Sequence, residues 1–254
     1  MFPEHEVVAY YGTVQGAGDL GILGLGAPDA QVAKLEAAAA PFGPASGRPV
    51  LPALELITTV ATRAAGSASD YSAPLTDAQV QTYLDAARKG KALLVLDLQP
   101  GRADLLAQAK RYERFLREPD VGLALDPEWK LQPGQRPGRQ IGYVTAAEVN
   151  SVSEYVAGLV AQGDLPEKMF VVHQFRQSMI RDRAQLVRRP GLETVVHIDG
   201  FGGQELKRQV YGALSAKGGE FVNGFKLFYD EDTDTMTPEQ AMAVVPRPEL
   251  ITYQ

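Results

Sequence analysis

Val121-Gly-Leu-Ala-Leu-Asp126, followed by Pro127-Glu128-Trp129, decides the fold of this chain. Successive side chains of a strand point to opposite faces. Here Leu123 and Leu125 share one face, while Gly122, Ala124, Asp126 and, past the strand end, Glu128 share the other. A bulky face suits packing against helices. A small face that turns acidic at its C-terminal end suits the interior and mouth of a parallel barrel. The same phasing recurs in Ala53 with Glu55, in Asp97 with Gln99, and in His197 with Asp199.

Working outward, apolar runs alternate with helix-period segments, the pattern of a parallel β/α sheet. Strands are predicted over 6–11, 50–57, 91–98, 121–126, 168–174, 193–199, 221–229 and 249–253. Helices are predicted over about 29–41, 76–89, 103–117, 146–162, 177–187, 203–216 and 237–244. Thr76 with Gln79, Thr145 with Glu148, and Thr237 with Gln240 fit capping boxes, so Glu148 reads as a helix cap. Eight strands with seven helices between them predict an α/β chain, a single (β/α)8 TIM barrel spanning 1–254, closed by pairing the last strand with the first. The rival is an open doubly wound sheet. The length of 254 residues agrees with the roughly 250 of such barrels.

Composition narrows the function. The chain is 45% hydrophobic and 22% charged with a formal net charge of −6, so attraction to a phosphate backbone is not expected and nucleic acid is not a predicted partner. It has no cysteine, which excludes disulfides, thiolate nucleophiles and Cys-ligated zinc. No apolar run approaches the roughly 18 residues of a membrane span. Met1-Phe-Pro-Glu-His-Glu6 has neither the basic nor the apolar region of a signal peptide. Gly16-Ala-Gly18-Asp-Leu-Gly21 spells a dinucleotide fingerprint, but Gly24, Gly26 and Pro28 separate it from the next helix, so NAD is not expected and a flexible loop over the barrel mouth is. The run Asp230-Glu-Asp-Thr-Asp234 reads as a solvated loop, and its charge disfavours phosphorylated substrates where barrels tend to bind phosphate.

Active sites of these barrels lie at the C-terminal ends of the strands. Those positions supply Glu128, Asp126, Asp199 and Asp97 as candidate catalytic groups. Tyr11, Glu55, Gln99, Trp129, His173, Gln174, Lys226 and Tyr229 are the candidate substrate-binding groups. Paired carboxyls are what glycosidic cleavage needs, one as proton donor and one as nucleophile or base. Glu128 beside Trp129 is the expected acid, with Asp199, Asp97 and Asp126 as candidates for the second role. Tyr11, Tyr71, Trp129, Tyr143 and Tyr229 offer flat surfaces for sugar rings. The expected partner is a carbohydrate or other small molecule, and no cofactor is needed. A second reading, a metal-dependent hydrolase or isomerase, would place a divalent ion among Asp97, Asp126, Glu128, His173 and Asp199, with zinc reached through His173 and His197. A third is a barrel that binds glycan or a cell-envelope partner without turnover.

The segments VVAYYG, GILGLG, LPALELITTVA, LLVLDLQPGR, LALDPEW, VVHQF, IDGFG, GFKLFYDEDTDTMTPEQ and LITYQ resemble an uncharacterised family of bacterial proteins, mostly actinobacterial and often described as exported proteins or lipoproteins. The resemblance runs through nearly the whole chain. It implies an extracellular or cell-envelope location and carries over no catalytic role. More locally, LALDPEW is similar to the strand-end D-x-E of glycoside hydrolase barrels.

Overall fold

Runs in which every second residue is small or polar become strands whose two faces meet different surroundings. A computed structural model describes residues 1–14, 20–66 and 68–254. Eight parallel strands form the barrel: β1 (Glu6–Gly12), β2 (Val50–Ala61), β3 (Leu93–Leu98), β4 (Val121–Leu125), β5 (Lys168–Gln174), β6 (Leu192–Ile198), β7 (Val222–Leu227) and β8 (Leu250–Tyr253). Each pairs with the next. β1 also pairs in parallel with β8, Val7 opposite Leu250 and Tyr10 opposite Tyr253, so the sheet closes and the open-sheet rival is excluded.

The helices are α1 (Pro28–Ala39), α2 (Phe42–Ser46), α3 (Asp77–Lys89), α4 (Leu105–Arg111), α5 (Glu113–Leu116), α6 (Ala146–Gly163), α7 (Gln204–Leu214) and α8 (Pro238–Met242). All three capping boxes form, at Thr76, Thr145 and Thr237. The helix expected over 177–187 does not. Two 3-10 turns and the short strand Ile180–Arg181 replace it, the strand pairing with Val144–Thr145. Asp182 in the left-handed conformation breaks helical phase there, and Gln174 ties the segment down by accepting from Arg183 (2.8 Å). The segment predicted over 103–117 divides at Tyr112 into α4 and α5.

Parity holds through the barrel. Val8, Leu54, Leu96, Leu123, Leu125, Phe170 and Val196 face the helices in the larger apolar core. Val7, Ala9, Ala53, Val95, Ala124, Val171 and Val195 fill the interior. Above this inner layer come Tyr11, Glu55, Asp97, Asp126, His173, His197, Lys226 and Thr252, all buried. Gly224 faces His197 across the β6–β7 pair, where an added Cβ would lie 3.1 Å from the His197 ring. Gly16 and Gly18, and with them the loop expected over the barrel mouth, lie outside the described residues. Helix α1 opens at Pro28, after a 3-10 turn over Leu23–Leu25. Among the described residues no helix is long and apolar enough to cross a membrane.

Candidate active site

The polar layer has two storeys. The upper one is a cleft of about 670 Å³ at the C-terminal end of the barrel, where Tyr11, Gln99, Asp126, Glu128, Asp199 and Lys226 reach its surface. The lower one lies beneath that floor and is built around His173. Its Nε2 is 2.7 Å from Glu55 Oε1 and its Nδ1 is 3.1 Å from Asp199 Oδ2. A ring with a carboxylate at each nitrogen is doubly protonated. Burial works against that charge, but Glu55 and Asp199 outweigh it and hold His173 well above the ordinary histidine range.

His197 does the opposite. Its ring stacks on His173 with centroids 4.9 Å apart, and its Nε2 lies 2.7 Å from Thr252 Oγ1. Thr252 gives its one hydroxyl hydrogen to Glu55 Oε2 (3.3 Å), so His197 Nε2 is the donor to Thr252. Burial and the charge of His173 press His197 down to about 3, leaving it neutral.

The five carboxyls divide under the same forces. Burial would raise Glu55, but His173 holds it down at about 2. Burial likewise works against Asp199, and its bond to His173 keeps it below the ordinary carboxylate value. The other three lack such a partner. Burial pushes Glu128 up to about 7, the charge of Asp199 adding to it. Burial pushes Asp126 up to about 8, with Glu128 adding, and lifts Asp97 well above its usual range, with Asp126 adding. Glu55 and Asp199 therefore face the charges of His173 and Lys226 as carboxylates, while burial biases Asp97, Asp126 and Glu128 toward their protonated forms. Asp126 Oδ1 and Asp199 Oδ1 are buried without hydrogen-bond partners.

Lys226, on β7, places its ammonium 3.4 Å from the centre of the Tyr11 ring. Tyr11 donates to Asp97 Oδ2 (3.2 Å) and accepts from Gln99 Nε2 (3.2 Å), while Gln99 Oε1 accepts from the backbone N–H of Ala61 (3.0 Å). Tyr11 thus roofs Asp97.

The sequence-derived candidates therefore separate. Glu128, Asp126, Asp199, Tyr11, Gln99, Trp129 and Lys226 meet at the cleft. Asp97, Glu55 and His173 sit under it and act on it through Tyr11 and Asp199. Gln174 points away from the interior and braces the 176–183 segment. Tyr229 stacks on Tyr253 (5.0 Å) outside the cleft, Tyr71 lies under Arg102, and Tyr143 lies under Arg181. The acidic run after β7 is not wholly solvated. Asp232 is buried, pairs with Lys207 (3.0 Å) and accepts from the backbone N–H groups of Gly202 and Phe228. Thr252 and Lys207 were missed. Parity along β8 puts Thr252 in phase with Leu250 and marks it, whereas nothing local marks Lys207.

Glu55, Asp97 and His173 bring one ligand atom each within 4.8 Å of one another, a spacing a cation can use. Both nitrogens of His173 are already taken by carboxylates, so ligation there requires breaking the clamp. With both its nitrogens protonated His173 offers no lone pair, so the expected zinc route through His173 and His197 also requires opening the clamp.

No family model matches the chain, and no curated protein matches it in sequence. Among solved structures it is similar to the Ruminococcus gnavus sialic acid aldolase, at 13% identity over 98% of this chain and 68% of that one, with a TM-score of 0.44. It is also similar to a GH18 chitinase from Pseudoalteromonas aurantia, at 10% identity over 98% and 93%, with a TM-score of 0.42. Likeness at this level assigns no chemistry, and barrels host many unrelated reactions.

Proposed function

We propose that this chain hydrolyses a glycosidic bond, with Glu128 as proton donor and Asp199 as nucleophile or base. The observation that carries the reading is the divergence of two carboxyls on one cleft: Glu128 is held up to about 7, and Asp199 is held below its ordinary value. Titratable neighbours driven apart in this way are the mark of an acid and a base with separate tasks. Glu128 gives its proton to the leaving oxygen as the bond to the anomeric carbon breaks. Asp199, whose Oδ1 has no hydrogen-bond partner and whose Oδ2 stays bonded to His173, acts in one of two ways. It either attacks that carbon to form an ester that water then cleaves with Glu128 as base, or takes the proton of the water that attacks the carbon directly. Lys226 and Asp126 face the same space and supply donors for sugar hydroxyls. Action at the cell envelope or outside the cell rests on the family resemblance alone.

The test is a panel of aryl glycosides and polysaccharides assayed for product release with and without chelator. Chelator-insensitive release supports the paired-carboxyl reading. Release that stops with chelator supports a metal-dependent reaction instead. Binding without release, unchanged by Glu128→Gln, supports a glycan-binding barrel.

A further inference from the structure

We infer that the substrate of this cleft carries an extended hydrocarbon aglycone, seated on a wall formed by Phe175, Phe201, Leu206 and Val210. The inference rests on the glycosidase reading of the same cleft and names its substrate class. Seven large hydrophobic side chains stand exposed among the described residues, and three of them, Ile141, Phe201 and Leu206, line this cleft. Phe201 is 63% exposed and Leu206 54%, so each leaves most of its apolar surface in water.

This exposure is built into a braced loop. Asp232 accepts from the backbone N–H of Gly202 (2.9 Å) and pairs with Lys207 (3.0 Å), whose ammonium also donates to the carbonyl of Gly200 (2.8 Å). Phe201 packs edge-on against Phe228 at 5.9 Å. A Cβ added at Gly200 would meet Phe175 at 3.4 Å and Val210 at 3.9 Å, and one at Gly202 would meet Leu206 at 3.3 Å. The four apolar side chains are therefore gathered around one pinned turn, directly after Asp199 at the end of β6.

The shapes of these side chains choose between two apolar occupants. Sugar rings pack on flat aromatic faces. Leu206 and Val210 in the wall, and Ile141 elsewhere on the cleft, are branched aliphatics with no such face. They match the contour of an alkyl or acyl chain, against which the phenyl rings of Phe175 and Phe201 can also pack. The polar floor of Asp126, Glu128, Asp199 and Lys226 cannot accept hydrocarbon without losing solvation. An amphiphile satisfies both zones, with its sugar on the floor and its chain along the wall.

Trp129 is the only tryptophan and lines the cleft, so its fluorescence reports occupancy. Wild type and the Phe201→Ser/Leu206→Ser double variant would be titrated with methyl, hexyl, octyl and decyl glycosides of glucose, galactose, mannose and N-acetylglucosamine, below their micellar concentrations. Turnover would be followed in parallel. The expected result is tighter binding by about two- to fourfold per added methylene on at least one sugar. The double variant would lose that dependence while keeping the wild-type unfolding midpoint. Equal affinity for methyl and decyl glycosides, no binding of any of them, or an unchanged chain-length series in the variant overturns the inference. Turnover that ignores chain length leaves the glycosidase reading intact and removes this one. Chain-length-dependent binding without turnover of any glycoside does the reverse.

Discussion

His173 on β5 and Asp199, the residue that follows the adjacent strand β6, share a 3.1 Å hydrogen bond beneath the cleft floor. The bond fixes the Oδ2 edge of Asp199 and leaves Oδ1 for chemistry. His173 holds its own charge because Glu55 takes its other nitrogen at 2.7 Å. A buried cation thus sets the ionisation of a residue on the cleft surface without touching the cleft.

Replacing His173 by Asn removes that cation and leaves Glu55 and Asp199 without the partner that bonds both of them. Breaking a buried ion pair by deleting one partner costs about 3–5 kcal/mol. Urea unfolding of His173→Asn is expected to lose that much stability at pH 7. In whatever activity remains, protonation of Asp199 should set in at a higher pH than in wild type. Wild-type stability with an unmoved acid limb would show the clamp to be inert.

The pH profile of the wild-type rate follows from the same charges. Burial and the charge of Asp199 hold Glu128 up to about 7, so the rate falls as pH rises through that value and the proton donor is lost. Asp199 is held below its ordinary value of 3.8, so the rate is sustained well into the acid range. Initial rates measured from pH 3 to 9 test this. A rate still rising above pH 8 contradicts it.

At the opposite end of the barrel, Glu6 is fully buried beside Arg247 (3.5 Å) and lacks hydrogen-bond partners. Burial, only partly offset by Arg247 and Arg48, raises it from 4.5 to about 7. A folded value above the unfolded one stabilises most below pH 4.5, and that contribution is lost as pH rises through about 7. Glu6→Gln keeps the neutral form. Relative to wild type it is therefore expected to gain about 1–3 kcal/mol between pH 5 and pH 8. Urea titrations at those two values check it, and parallel pH slopes would refute it.

Glycines separate close contact from idle flexibility. Gly224→Ala puts a methyl 3.1 Å from the His197 ring and is expected to cost about 1–3 kcal/mol. Gly158 in α6 and Gly212 in α7 have nothing within 4 Å of an added Cβ, so Ala at either should stabilise by about 0.5–1 kcal/mol. Thermal unfolding of the three variants compares them, and a loss of stability for all three would count against this packing.

The barrel was legible because its signal is local. Gly122, Ala124 and Asp126 against Leu123 and Leu125 state which face is inside, and three capping boxes mark where helices begin. The 177–187 segment misled because an apolar spacing there serves an irregular loop whose short strand pairs with Val144–Thr145, a contact between distant positions. Parity also brought Glu55, Asp97, Asp126, His173, Asp199 and Lys226 to one end. It could not separate cleft from under-floor, since that depends on how far each strand rises and on Tyr11 folding over Asp97. The exposed wall at Phe201 and Leu206 is likewise invisible in sequence, where both read as ordinary apolar residues beside a helix start.

The most direct measurement of the central claim is product release from the glycoside panel at pH 6 by wild type, Glu128→Gln and Asp199→Asn, with unfolding midpoints recorded on the same samples. The account predicts wild-type turnover, losses of about a hundred- to ten-thousandfold in both variants, and a midpoint for Glu128→Gln within a few degrees of wild type. Full activity in Glu128→Gln, or a wild-type enzyme that releases nothing from any glycoside, would contradict it.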